Sequence, residues 1–448
     1  MALKTSENYR GLSREIVEKI SKRKNDPDWM RELRFAALDA YEKIKMPKFG
    51  PDLGGLDIDN IASYVEASSA MVDDWNKVPI EIRKTFDKLG IPESERNGLA
   101  GVGAQYDSEL VYHNIQQAVA ETGVVYMGLE AAIHSEYANM IREHFMKLVP
   151  IDDHKFAALH AAVWSGGSFV YVPRGISVEF PLQSYFRFNA PGAGQFEHTL
   201  IIVEEDADLH FIEGCSAPKY NVANLHAGCV EIFVGKNAHV KYSTVENWSK
   251  NMYNLNTKRA IVEEGGKIEW ITGSFGSHIS MLYPMAILNG RGATMEYTGV
   301  SFAGHGQELD TGVKVEHRAE KTRSIINAKS IAKDGGVNVF RSMVKIATGA
   351  KKSRSFTDCQ SLMLDSLSKS NTVPYFNVQT NEAEVAHEAN VGKISEKELQ
   401  YLASRGLSED DARALIVRGF ANNVSKELPF EYAAEMNNLI KLEMSENM

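Results

Sequence analysis

The chain is poor in cysteine: three thiols, Cys215, Cys229 and Cys359, in 448 residues, with no Cys-x-x-Cys pair. So sparse and odd a set builds neither a structural zinc site nor a self-contained four-cysteine cluster from one chain, and it suits a reducing compartment. Long apolar runs are missing too. None approaches a membrane span, and the opening Met1 to Asn8 lacks the apolar core of a secretion signal, so a cytoplasmic location is expected. There is no G-x-x-x-x-G-K-[ST] and no H-E-x-x-H; Thr348 to Ser353 imitates a phosphate loop only superficially. Positive charge is in deficit, with a net charge of -10 and Lys and Arg scattered along the chain. That argues against nucleic acid or an anionic membrane surface as the main partner.

What is present is a repeat. A small residue followed by polar, apolar, polar and aromatic positions occurs at Ala207 to Phe211, Ala238 to Tyr242, Gly266 to Trp270 and Ala293 to Tyr297, with looser copies at Thr322 and Ala350. The numbering puts these landmarks 31, 28, 27, 29 and 28 residues apart. A fixed period of that size with two-residue alternation inside it predicts stacked β coils, about six of them recognisable. Cys215 lies eight residues after the first landmark and Cys359 nine after the last. Five steps of about 4.8 Å separate them by about 24 Å, too far for both to hold one ion.

The repeat organises the rest. Residues 1–105 read as mainly helical, with Pro27 at a helix start, Met46-Pro47 as a stop, and Gly101-Val102-Gly103 as a turn. Residues 106–163 form a helical or mixed lead-in, and 164–380 the β core, beginning with Phe169 to Val172 and Val178 to Phe180. Residues 381–448 return to helix, with capping pairs Ser395/Glu398 and Ser408/Asp411 and with Pro429 suited to a first turn. The expected class is thus mainly β, a long solenoid flanked by helical domains.

Free cysteine is commonly a small buried hydrophobe, and Cys229, inside an apolar strand, keeps that reading. Cys215 closes a strand in Glu213-Gly214-Cys215-Ser216-Ala217-Pro218, and Cys359 sits at the end of the last coil. Both are expected where a thiolate can meet another molecule. Glu382, Glu384, His387 and Glu388 gather carboxylates and an imidazole just beyond that coil. A solvated acidic face is the bland alternative, but proximity to Cys359 points to iron or an iron-sulfur species at a site shared between chains.

Motifs in sequence order carry a resemblance over nearly the whole length: Gly11-Leu12-Ser13, Met46-Pro47-Lys48, Gly101 to Glu109, Ala162 to Ser168, Gly194-Gln195-Phe196-Glu197, Glu213-Gly214-Cys215 and Glu427-Leu428-Pro429. The chain resembles the SufB/SufD family of iron-sulfur cluster assembly proteins, on its SufB scaffold side. The resemblance implies a right-handed parallel β-helix and an assembly scaffold, not a turnover enzyme. It implies three partners: an ABC-type ATPase (SufC) docked on the C-terminal helices, a SufD subunit or second copy forming a dimer, and a cysteine desulfurase as sulfur donor. It makes Cys215 the sulfur acceptor, with Arg187, Asn189, Trp248 and Lys258 along the sulfur path, and Glu246 where Gln is the expected residue. Cys359, His387 and Glu388 would hold the nascent iron-sulfur cluster, with Ala386 replacing a carboxylate found in many relatives. Reduced flavin has been associated with such complexes, but no segment here marks a flavin site. A SufD-like structural partner is the main alternative, and a β-helix acting on polysaccharides a more distant one.

Overall fold

The structure, a computed structural model, describes residues 9–65, 99–428 and 430–445. Pro429 lies outside the described residues. Near the N-terminus, Arg14–Arg23 is a helix capped by the Ser13 side chain, which accepts from the Ile16 N–H. Asp28–Lys43 follows with Pro27 at its N-cap, where a missing N–H costs nothing, and it ends before Met46-Pro47.

The core is a β-solenoid of about eight turns. One face is a ten-stranded sheet in which Leu182–Arg187, Asp208–Ser216, His239–Asn247, Lys267–Phe275, Thr294–Ala303, Arg323–Ala332, Arg354–Met363 and Glu384–Lys393 stack in that order, all in parallel. Gly101–Tyr106 and Glu109–Ile115 close its beginning as an antiparallel pair. The facing sheet is split in the early coils, where His198–Val203, Cys229–Val234 and Thr257–Val262 form one row and Gly194–Gln195, Asn224–His226 and Met252–Asn254 another. Glu308–His317 fuses the two rows by pairing with both Ile279–Leu282 and Met285–Leu288.

Side chains alternate across each strand. The first sheet's inward columns fill the solenoid with Leu209, Val240, Ile268 and Met295 in one rank and Phe211, Tyr242, Trp270 and Tyr297 in the next. Phe211 stacks on Tyr242 at 5.5 Å, and Tyr242 meets Trp270 edge-on at 5.5 Å. These aromatics are the landmarks of the sequence repeat. On the outer face of this sheet, Ile212, Val245, Ile271 and Val300 pack under the C-terminal helices Glu409–Ser425 and Phe430–Ser445 through Val417, Ala421, Met436 and Ile440. The other sheet is covered by the N-terminal layer, including the helix Lys155–Val163.

Several sequence expectations change. Two coils were missed, one at each end. Leu182–Arg187 lacks the landmark, and the final landmark is Ala383 to His387, with an imidazole in the aromatic position. The solenoid therefore runs to Lys393, beyond 380, and His387 and Glu388 belong to its last coil. The landmark placed at Ala350 belongs at Ser353, because Arg323 pairs with Arg354 and a longer turn intervenes. Gly101-Val102-Gly103 is strand, not turn: a Cβ at either glycine would meet the Tyr126 ring or its hydroxyl, so their absence lets that side chain lie across the strand. Val178 to Phe180 forms no strand.

Candidate functional site

The inward side of the first sheet changes character one rank beyond the aromatics. Glu213 and Cys215 lie on the Asp208–Ser216 strand, and pairing places Glu246 beside Cys215 and Thr244 beside Glu213. Lys258 comes from the opposite sheet, donating to Glu213 Oε1 at 2.7 Å and to Thr244 Oγ1 at 2.9 Å. Tyr242 donates to the other Glu213 oxygen. Cys215 Sγ stands 3.8 Å from Glu213 Oε1. Around them His226 bridges Glu197 at 2.5 Å and Asn254 at 2.9 Å, and Asn254 donates to Glu246 at 2.8 Å. Trp248 lies against His226, ring centroids 4.6 Å apart, with its Nε1 unpaired among the described residues.

The electrostatics follow from burial and pairing. Burial works against both charges of the ion pair. Even so, Lys258 holds the Glu213 carboxyl below its usual range, and Glu213 with Glu246 holds the Lys258 ammonium above its own. Burial raises Glu246, with Lys258 and His226 opposing that rise. The Cys215 thiol is pushed well up by burial and then by Glu213, Glu246 and Glu197; Lys258 acts in the lowering direction but is outweighed. The sequence expectation of a thiolate placed where it can meet another molecule is therefore corrected. Cys215 is a strand residue, 1% exposed, and packed with Phe186, Trp248 and Met252.

Arg187 and Asn189 are not in this interior group. Arg187 pairs with Ser216 on the outward side of the same strands, donating to Ser216 Oγ at 2.9 Å. The Asn189 backbone N–H, two residues beyond Arg187, donates to Asp107 Oδ1 at 2.6 Å. The two flank the Cys215 strand end from outside, while Glu246, Lys258 and Trp248 flank it from within.

Five strand-to-strand steps lead from Cys215 to the strand of Cys359, about 24 Å. The column starting at Cys215 continues through Glu246, Ser274, Ser301, Ser330 and Ser361, all buried. Ser274 reaches Glu246 at 3.3 Å, and Ser301 reaches Asn338 at 2.9 Å and Ser330 at 3.5 Å. Cys359 heads the neighbouring column, which runs back through Ala328, Gly299, Thr272 and Thr244 to Glu213. A buried lane of hydroxyls and small side chains thus joins the two thiols.

Cys359 sits in mid-strand, 3% exposed, its thiol pushed up to about 12 by burial and then by Asp358. It is not at the end of the last coil, because Glu384–Lys393 stacks beyond it. Thr357 pairs with His387 and Cys359 with Ala389, so His387 shares the inward face with Cys359, one position along. Glu388 pairs with Asp358 and lies on the opposite face. Among the described residues His387 Nδ1 has no hydrogen-bond partner, and burial lowers its proton affinity. The last coil is open: Val373, Tyr375, Phe376, Val378 and Val391 are exposed.

Sequence reasoning missed Glu213, His226, Tyr242 and Asn254 as neighbours of Cys215. Glu213 stood in the quoted Glu-Gly-Cys motif, and writing the repeats in register would have aligned Cys215 with Glu246 and the serines. His226 and Asn254 come from short strands that carry no landmark.

The chain is thus of the parallel-solenoid class, with a buried thiol at one station, a second thiol under an open terminal coil, and helices on both flanks. Residues 186–420 match the family described as SUF system FeS cluster assembly, SufBD core domain, and residues 3–184 match the SufBD protein N-terminal region. The chain belongs to the SufBD family. It is 48% identical over 435 residues, 97% of this chain and 93% of the relative, to an iron-sulfur cluster assembly SufBD family protein of Staphylococcus epidermidis (strain RP62A). The same figures hold for SufBD family proteins of Staphylococcus aureus strains MRSA252 and USA300. Its role is thus in iron-sulfur cluster assembly, within an assembly-protein family. Among the described residues no helix is long and apolar enough to cross a membrane.

Proposed function

We propose that this chain is the SufB-like scaffold of a cytoplasmic Suf complex. Sulfane sulfur enters at Cys215, passes along the buried lane, and meets iron near Cys359 and His387. The observation that carries the reading is that lane, since a solenoid needing only a packed core has no use for a column of Cys, Glu and serines beside its aromatic one. At entry, the Cys215 thiol gives up its proton as its sulfur attacks the outer sulfur of a desulfurase persulfide, and the departing desulfurase sulfur takes a proton in return. The donor S–S bond breaks as the Cys215 S–S bond forms, and the desulfurase thiolate leaves. Glu213, Glu246 and Lys258 form a buried proton-exchanging set beside that sulfur. The sulfane sulfur must take up two electrons before it is cluster sulfide, and reduced flavin is the external reductant the resemblance suggests.

The open last coil is proposed as the dimer seam, with SufD or a second copy as occupant, and Glu388 faces away from Cys359 within it. The helix Glu396–Ser404, which buries none of its residues, is proposed as part of the dock for a SufC-type ATPase. ATP-driven movement of that partner would supply the opening that both buried thiols require. The test is mass spectrometry of the full chain after incubation with its desulfurase and cysteine. The expected result is added sulfur on Cys215 that disappears in Cys215→Ser; sulfur found equally on all three cysteines would overturn the entry assignment. A SufD-like structural role gains ground if Cys359→Ser still supports cluster assembly.

A further inference from the structure

Cys229 takes no part in the lane, and it is not a lone thiol. It opens the strand Cys229–Val234 and is in direct register with His198, which opens His198–Val203. Both face the helix Lys155–Val163, which brings His160 against them. The three side chains are fully buried, and one donor atom from each lies within 4.8 Å of the others. We propose that His160, His198 and Cys229 form a binding site for one divalent first-row transition ion, Zn2+ or Fe2+. The site is independent of the sulfur path.

The pattern of second contacts argues for this. A ligating imidazole ordinarily commits its other nitrogen to a carboxylate or carbonyl, fixing the tautomer and aiming the free lone pair. His160 places Nδ1 2.9 Å from the Ala227 carbonyl, leaving Nε2 for an ion. His198 turns Nε2 toward Glu231 at 3.2 Å, without a well-formed hydrogen bond, leaving Nδ1. Without an ion those two nitrogens hydrogen-bond each other at 3.1 Å, and an ion would take the place of the shared proton. Two nitrogens bound at about 2.0–2.1 Å on a tetrahedral ion stand about 3.3 Å apart, so the imidazoles are already spaced for it.

Glu231 is in turn fixed by the N–H groups of Met146, Leu148 and Val149 at 2.5, 2.6 and 2.9 Å. Phe145 stacks on His198 at 4.1 Å and seals the group from water. A divalent ion, the Cys229 thiolate and the Glu231 carboxylate sum to zero charge, which a fully buried site requires. Binding of an ion there would release the Cys229 proton to solvent. Two imidazoles with one thiolate select borderline ions over Mg2+ or Ca2+. Cysteine spacing gives no sign of such a site; the fold brings its three candidate ligands together from three separate segments, between the N-terminal layer and the solenoid.

The test is anaerobic titration of the chelator-treated full chain with Co2+, followed by competition with Zn2+ in one arm and Fe2+ in the other. The expected result is a thiolate-to-cobalt charge-transfer band of one equivalent, retained in Cys215→Ser and Cys359→Ser and lost in Cys229→Ser. Glu231→Gln should weaken cobalt binding by about 10- to 100-fold. Displacement of cobalt by Zn2+ at a lower concentration than by Fe2+, the order this donor set requires, supports the site, and displacement by neither ion overturns it. No band in the wild type, or a band that survives Cys229→Ser, overturns the site. Should Cys229→Ser fail to fold, X-ray absorption of the wild-type cobalt form decides: one sulfur with two imidazoles supports the site, and a shell without sulfur overturns it.

Discussion

The two ends of the solenoid handle a thiol in opposite ways. Cys215 sits among Glu213, Glu246, Lys258 and His226, and charges of both signs are built around it before anything arrives. Cys359 sits under a coil whose far side is exposed, next to a His387 whose Nδ1 has no hydrogen-bond partner among the described residues. The first end is complete as a single chain, and the second is unfinished. On the proposed function, the interior charge serves chemistry done inside one chain, and the open coil serves chemistry completed by another molecule.

The largest effect is expected where the closed end is broken. Lys258→Met leaves the buried Glu213 charge unpaired and should cost about 3–5 kcal/mol in urea unfolding of the reduced protein. Lys258→Met with Glu213→Gln should recover most of that loss, and a Lys258→Met cost below about 1 kcal/mol would mean the pair is not closed to water. The open end should behave differently: Tyr375→Glu with Phe376→Glu should change unfolding stability little while abolishing self- or SufD association by sedimentation. Association that persists would move the seam elsewhere. Alkylation of the native, reduced protein should label Cys359 before Cys215, because local opening of a terminal coil costs less than opening an interior one. The reverse order would contradict the comparison.

On the outer surface of the Cys215 coils, His239 lies between Asp208 at 2.6 Å and Glu269 at 2.8 Å. Its hydrogen bonds to Asp208 and then Glu269 raise it to about 9, and hydrogen bonding from His239 brings Glu269 down to about 2. A raised histidine stabilises fully below its ordinary value of 6.5 and loses that contribution as pH climbs through about 9; a lowered glutamate stabilises above its ordinary 4.5 and loses it as pH falls toward 2. Stability should therefore decline between pH 6.5 and 9, and His239→Gln should flatten that limb. A wild-type curve flat over that range would contradict the pairing. The smallest effect is expected in the lane: Ser330→Ala should change stability by less than about 1 kcal/mol while slowing sulfur arrival at Cys359. Unchanged transfer would remove the serine column from the path.

How much of this was legible depends on the repeat. Where a coil carries the landmark, as at Ala238 to Tyr242, strand, period and inward face could all be read from the sequence, and the five-step separation of Cys215 and Cys359 followed. Where a turn lengthened before Ser353, the register slipped by three residues. Where imidazole replaced the aromatic at His387, a coil was taken for an acidic segment. Burial of Cys215 was illegible because Glu, Lys and His read as surface residues until pairing shows them meeting inside. His160, His198 and Cys229 were beyond reach for the same reason: nothing in their spacing says that a helix and two coils converge.

The most direct test of the central claim is anaerobic cluster reconstitution of the full chain with its ATPase, iron and a desulfurase sulfur source, followed by visible absorption and Mössbauer spectra of wild type, Cys215→Ser and Cys359→Ser. The account predicts a cluster in the wild type. In Cys215→Ser it should fail with enzymatic sulfur and return with free sulfide, and in Cys359→Ser it should be lost under both conditions. Equal cluster formation in all three proteins would contradict the two-station account and put the ligands elsewhere.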